Sequence, residues 1–207
     1  MATGLPRNDE LFVNEKEKNH LLEKYKLAKY DKIITYAPTW RDCPTKQPFT
    51  EGFWRKLNDY FVESNSFFLV IKHPYATFMN IHSEYSNIGD YTQIVSDIQE
   101  VLVFTDFLIT DYSSVITDYS ITDKPYLIYA YDIELYIESC RSFGYDLKEV
   151  LPNPILKTED ELFEKIVDTS WQNLPEVIHE HEEFKDIFHK YCDGKSCERV
   201  MKEVLAL

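Results

Sequence analysis

The sequence predicts an α/β fold, a Rossmann-like open parallel sheet flanked by helices. Three observations carry that prediction. Short runs of β-branched, aliphatic and aromatic residues recur along the chain, several apolar throughout, as expected of strands covered on both faces. Segments with helical spacing of apolar residues separate them. Parallel strands need crossover helices, and this alternation supplies them.

The elements follow in order. The segment from Asn8 to Tyr30 is charged and helix-forming, with Leu11, Leu21, Leu22 and Leu27 as its sparse apolar positions. KIITYAPTW is a strand ended by Pro38. Residues 51–64 place Phe53, Trp54, Leu57, Tyr60 and Phe61 on one helical face. SFFLVIKHP is a buried strand stopped by His73 and Pro74. YTQIV is a short strand candidate, and in SDIQEVLVF Ser96 and Gln99 stand in capping-box register. TDFLIT is a short buried strand running into DYSSVITDYSIT, and KPYLIYAY is the last clear strand. Residues 158–169, 176–191 and 196–206 are helical in character, punctuated by Pro152, Pro154 and Pro175.

A chain of 207 residues can build one domain with its own core, and a single domain over residues 1–207 is expected. Hydrophobic residues make up 44% and aromatic residues 15%, which excludes a disordered chain. The net charge of -14 repels nucleic acid and anionic lipid in the absence of a local basic patch. No cluster of five Lys or Arg interrupts it, so neither nucleic-acid binding nor direct membrane insertion is expected. Cys43, Cys140, Cys192 and Cys197 show no C-x-x-C spacing, and four reduced thiols are expected. The start MATGLPRNDELF has no apolar signal region, and no stretch approaches the ~18 apolar residues of a membrane span.

Open parallel sheets bind ligands beyond the carboxyl ends of their strands. That rule selects four stretches: Thr39 to Asp42, His73 to Tyr75, Thr110 to Ser114 and Ala130 to Asp132. In the third, a strand runs through two serines into a helix. Unpaired amides, the helix dipole and the hydroxyls of Ser113 and Ser114 together make a phosphate cradle. Asp118 lies one turn beyond Ser114 on the same face, placed to accept from ribose or glycerol hydroxyls. The plainer reading makes Ser113 an N-cap and Asp118 a solvated side chain. His73 at a strand end suits a diphosphate donor or a general acid, or a half-buried ring bonded to a carbonyl. Arg41 suits a bidentate phosphate clamp, or a weak local pair with Asp42. Arg141 is a second possible phosphate ligand. The pair His179 and His181 does not face one site on a helix and reads as a solvated face. No H-E-x-x-H, Walker loop or G-x-G-x-x-G occurs.

The blocks GLPRNDELF, ITYAPTWRD, IKHP, TDFLITDYSSVITDYSITDKPYLIYAYD, the run from Arg141 to Asp146 and the closing DGKSCERV strongly resemble the CDP-glycerol glycerophosphotransferase family. These are teichoic-acid and capsule polymerases and primases of bacteria. The resemblance runs from about Gly4 to about Val200. It implies the C-terminal, donor-binding half of a two-domain GT-B enzyme, with an N-terminal acceptor domain and its histidine base absent from this chain. It carries donor-binding roles to His73, Ser113 and Ser114, and extends them to Thr39, Arg41, Asp111, Asp118 and Arg141. Two glycines of the family pattern are replaced, by Ser142 and Asn153. Ser142 bears on donor specificity where that glycine needs positive φ or close approach.

The expected reaction transfers glycerol phosphate or a related polyol phosphate from a CDP-linked donor to a hydroxyl acceptor, releasing CMP. The acceptor is a polymer or lipid-linked chain, reached through the other domain. No Mg²⁺-binding carboxylate pair stands out, so no cofactor or metal is expected. The place implied is the cytoplasm, peripheral at the inner face of the plasma membrane. Two rivals share the pattern: a GT-B glycosyltransferase or epimerase domain using a UDP-sugar, and an inactive domain kept for protein contact.

Overall fold

The computed structural model describes residues 2–41, 46–73, 79, 81–140, 150–152 and 154–206. Six parallel strands form one sheet: β1 (Lys32–Ala37), β2 (Ser66–Val70), β3 (Ile88–Asp90), β4 (Phe107–Thr110), β5 (Tyr126–Tyr129) and β6 (Ile155–Leu156). Their order is β3-β2-β1-β4-β5-β6, and every neighbouring pair is parallel. The chain starts in the middle, winds to one edge, then returns to wind the other way. The reversal lies between β1 and β4, where Ala37 stands opposite Thr110.

Eight α-helices are described: α1 (Glu15–Lys24), α2 (Glu51–Glu63), α3 (Ile98–Phe104), α4 (Val115–Ser120), α5 (Ile133–Ser139), α6 (Glu159–Val167), α7 (Pro175–Phe188) and α8 (Ser196–Leu205). All five residues of β2 are buried, because helices cover both faces. On one face Phe53, Trp54, Leu57 and Phe61 of α2 pack with Ile34, Tyr36, Phe68 and Val70. On the other, Val101 and Phe104 of α3 meet Ile33, Phe67 and Leu69, while α4 and α5 cover Leu108 and Ile128. Successive residues of β1 thus serve opposite layers, the period of two that a strand imposes.

Several expectations need correction. The Asn8–Tyr30 segment is not one helix: a 3-10 turn over Pro6–Leu11 precedes α1. YTQIV is not a strand. Tyr91 donates to the Val70 carbonyl and the chain then turns, with Thr92 N bonded to Asp90 and Ile94 exposed. The third strand is the preceding trio Ile88–Asp90. Asp97 rather than Ser96 caps α3, accepting from Gln99 N at 2.9 Å. Helix α5 and the two-residue β6, which directly follows Pro154, were not foreseen. His179 is exposed beside Glu183, but His181 stacks on Tyr126 at 3.8 Å between ring centres, so that pair is not simply solvated. Cys192 and Cys197 are free thiols, whereas Cys140 is disulfide-bonded; bridging requires nearness in space, which spacing along the chain does not report. No described helix is long and apolar enough to cross a membrane.

Lys124, at the entry to β5, donates to the carbonyls of Val103 and Thr105 at 2.9 and 2.7 Å. Burial, aided by the charge of Lys18, lowers its pKa to about 8. A lowered amine binds fewer protons folded than unfolded, so its charged form costs stability below that value and the cost fades as pH rises. The stability of wild type relative to Lys124→Met should therefore increase between about pH 8 and about pH 10 in paired urea titrations; a flat difference would refute this.

Candidate functional site

The reversal between β1 and β4 opens a crevice at the carboxyl ends of the strands, where open sheets bind ligands. Its cavity of about 540 Å³ is walled by residues following β1, β2 and β4. Three of the four stretches selected from the sequence meet there. The fourth, at Asp132, lies behind the wall and supports it.

That support is a buried ionic cluster. The Asp111 carboxylate accepts from Thr39 N and Oγ1 at 2.8 and 2.6 Å, from Tyr112 N at 2.6 Å and from Arg41 Nη1 at 2.6 Å. Arg41 also donates Nε and Nη2 to Asp132 at 3.1 and 2.8 Å, the planar fork a carboxylate accepts best. The Tyr112 hydroxyl donates to the same Asp132 at 3.1 Å. Rings of Tyr112, Tyr131 and Tyr136 stand 5.3, 5.5 and 5.1 Å from the guanidinium carbon, within cation–π range. Burial pulls the Arg41 pKa down, but the Asp111 charge and the bonded Asp132 outweigh it and raise it. Burial, then the Asp132 and Asp111 charges, push the Tyr112 phenol well above its ordinary value.

This geometry revises the roles of Arg41 and Asp111, while Thr39, bonded to Asp111, lines the cavity. The Arg41 and Asp111 side chains are 0% exposed and bonded to each other, so neither is presented to a ligand. They tie the segment after β1 to those after β4 and β5. Arg41's partners are Asp111 and Asp132, seventy and ninety-one positions away; Asp42 lies outside the described residues. So do Arg141, Ser142 and Asn153.

Ser113 and Ser114 do line the cavity. Ser114 has helical backbone angles and makes no side-chain cap, leaving its exposed hydroxyl unspent. The Ser113 hydroxyl accepts from Val115 N at a long 3.4 Å, a weak cap. Helix α4 has only six residues, so its dipole is small; individual hydroxyls and amides carry whatever attraction this corner has for an anion. His73 is on the opposite wall, exposed, its ring stacked on Trp40 at 4.8 Å and 28°. Lys72 beside it is paired with Asp90 at 3.1 Å.

Asp118 is not solvated. It is 4% exposed and gripped by Arg7, whose Nε and Nη2 approach at 3.1 Å each. Gln99 Nε2 adds a longer contact to it at 3.4 Å. Sequence reasoning missed Arg7, Gln99 and Trp40, because nothing local marks them. Two chain ends hold Arg7 in place. Asp9, two residues on, caps α8 by accepting from Ser196 N and Cys197 N at 2.8 and 2.7 Å. Gly194, at φ +65°, lets Phe12 approach where a Cβ would sit 2.9 Å from the Phe12 Cβ. Among the described residues, no three His, Cys, Asp or Glu gather as a metal site.

The family described as CDP-glycerol:poly(glycerophosphate) glycerophosphotransferase matches residues 1–206. The chain belongs to this family. A glycerophosphotransferase-family relative, the teichoic acid poly(glycerol phosphate) polymerase of Bacillus spizizenii, is 34% identical across 99% of this chain and 53% of its own length. The teichoic acid poly(ribitol-phosphate) polymerase of the same organism is 32% identical across 99% of this chain and 33% of itself. A solved structure of the wall teichoic acid polymerase TagF, a variant soaked with CDPG, superposes with a TM-score of 0.73 at 29% identity, covering 100% of this chain and 51% of that one. The chain thus spans about half the length of these relatives or less. The expected sheet architecture is the one this chain has in common with the TagF structure.

A buried arginine between two carboxylates is costly to break. Arg41→Met should destabilise the domain by about 3–5 kcal/mol, and Arg41→Lys should restore little, since an ammonium cannot serve both carboxylates with one planar fork. Urea unfolding measures both; a loss below about 1 kcal/mol would show the cluster to be dispensable.

Proposed function

We propose that this chain is the donor-binding part of a glycerophosphotransferase, holding a CDP-activated polyol phosphate in the crevice between β1 and β4. The observation that carries the reading is the corner at Ser113 and Ser114: two hydroxyls on a cavity wall at the sheet's reversal point, in a chain of net charge -14 that elsewhere repels anions. Family membership over residues 1–206 and the CDPG-soaked TagF relative support the same assignment.

The chemistry follows from the charge to be managed. An acceptor hydroxyl oxygen attacks the β-phosphorus in line, forming a new P–O bond as the bond from that phosphorus to the bridging oxygen breaks. The electron pair leaves with CMP, and the acceptor proton passes to a base. Charge building on the departing phosphate is met by Ser113, Ser114 and His73, already in place before the reaction. His73 approaches from the opposite wall, its ring steadied by Trp40, and serves as hydrogen-bond donor or general acid to the leaving group. We assign acceptor contacts and the base to a second half such as these relatives' greater length provides. On this reading the 207 residues alone bind donor and release little CMP.

The reading includes metal independence. Asp111 and Asp118 are each committed to an arginine, which leaves neither carboxylate disposed to hold Mg²⁺. Polymer synthesis at the inner membrane face completes the proposal.

Calorimetry tests it. CDP-glycerol should bind, with UDP-sugars weaker by at least roughly tenfold, and EDTA should not change the affinity. Ser113→Ala/Ser114→Ala should weaken binding about 10- to 100-fold, the loss expected for hydrogen bonds to a charged phosphate. Unchanged affinity in the double variant, or preference for a uridine nucleotide, would overturn the assignment.

A further inference from the structure

The cavity has a second polar corner, opposite in character to the serines. Gln99 is 2% exposed and lines the crevice. Its Nε2 is directed to Asp118, while its Oε1 is buried with no hydrogen-bond partner. A buried amide oxygen left without a donor is destabilising, so its persistence on a cavity wall points to a donor that arrives with a ligand. Arg7 is beside it, its side chain 54% exposed. Nε and Nη2 of Arg7 are bonded to Asp118, and Nη1 has no acceptor among the described residues. The corner therefore offers one vacant acceptor and one vacant donor.

Its charge decides what fits. Arg7 and Asp118 neutralise each other at 3.0 Å, so the corner gives a phosphate little net attraction. A hydroxyl is different: its hydrogen bonds to an acceptor while its oxygen receives a donor, and it carries no charge to desolvate. A vicinal diol presents both functions a short distance apart.

Resting on the donor-site reading above, we propose that Gln99 and Arg7 read hydroxyl groups of the bound nucleotide donor, Gln99 Oε1 accepting an O–H and Arg7 Nη1 donating to the oxygen. Asp118 is the positioning residue that aims both. The 3-10 turn at Pro6–Leu11 and helix α3 thereby determine donor selectivity, while the serine corner holds phosphate. The same chemistry has two sources in such a donor, the ribose diol and the polyol.

Two pairs of probes separate them. CDP against 2′-deoxy-CDP reports on the ribose, and CDP-glycerol against CDP reports on the polyol. Titration calorimetry on the 207-residue chain should show a preference of about 5- to 30-fold for the hydroxyl-bearing member of at least one pair, the range for one or two kcal/mol. In Gln99→Met, which keeps the volume and removes the amide, that preference should fall to about unity, while affinity for the hydroxyl-poor member stays the same. Arg7→Lys keeps the charge facing Asp118 but loses the free second donor, and should shrink the same preference; because Arg7 is exposed, this variant decides the matter if Gln99→Met fails to fold. No preference in wild type for either pair, or a preference both variants preserve, would overturn the inference and leave the donor site standing. Failure of wild type to bind any of the cytidine nucleotides would overturn the donor-site reading, and this inference with it.

Discussion

The guanidinium of Arg41, enclosed between Asp111 and Asp132, is the contact on which the carboxyl-terminal side of the sheet depends. Parallel strands hydrogen-bond along their lengths, but the ladder stops where the strands stop, and the loops beyond need other partners. At β1, β4 and β5 those partners are one arginine and two carboxylates, with the Thr39 and Tyr112 amides filling remaining lone pairs of Asp111. A buried charge is tolerated only when its hydrogen-bonding capacity is met. Here the cluster is saturated on nearly every side, and three tyrosine rings seal it from water. The segments after β1, β4 and β5 are thus tied to one another behind the crevice, which holds its wall in place.

That arrangement also sorts the carboxylates in an acidic protein. Asp111, Asp118 and Asp132 all lie near the crevice, where three free negative charges would oppose an anionic ligand. Each is instead bonded to an arginine. The mean field of the surface is therefore a poor guide to the field inside the cavity, where hydroxyls, amides and a histidine face inward. On the proposed reading, attraction for phosphate arises from short-range donors whose orientation is set by packing, and needs no basic patch.

Much of the fold was legible in the sequence because it rests on local patterns. The runs Phe67–Val70 and Phe107–Ile109 are apolar on successive positions, and Ile33–Ala37 at all but Thr35, as strands covered on both faces are. The spacing of Phe53, Trp54, Leu57 and Phe61 could only be one side of a helix. Where the pattern was thin, reading failed. Ile88–Asp90 contains a glycine and an aspartate and owes its strand state to the edge of β2, while YTQIV had the composition of a strand but turns after Tyr91, with Thr92 N bonded to Asp90. That the serines and His73 meet at the crevice was legible too, because the rule that selects strand ends needs only the strand ends.

The sequence by itself determined the alternation of strands and helices, hence the parallel sheet, and through it the position of the crevice at the strands' carboxyl ends; periodicity and the covalent order of the chain suffice for that. Only the tertiary structure decided which polar residues face the crevice and which face one another. Arg41 and Arg7 are indistinguishable as letters, each followed within two positions by an aspartate. One is buried between carboxylates seventy and ninety-one positions away, and the other holds Asp118 from the rim, a hundred and eleven positions distant. Hydrogen-bond partnership is set by distance in space, and a chain that winds out from the centre of a sheet and back brings together residues that no local pattern connects.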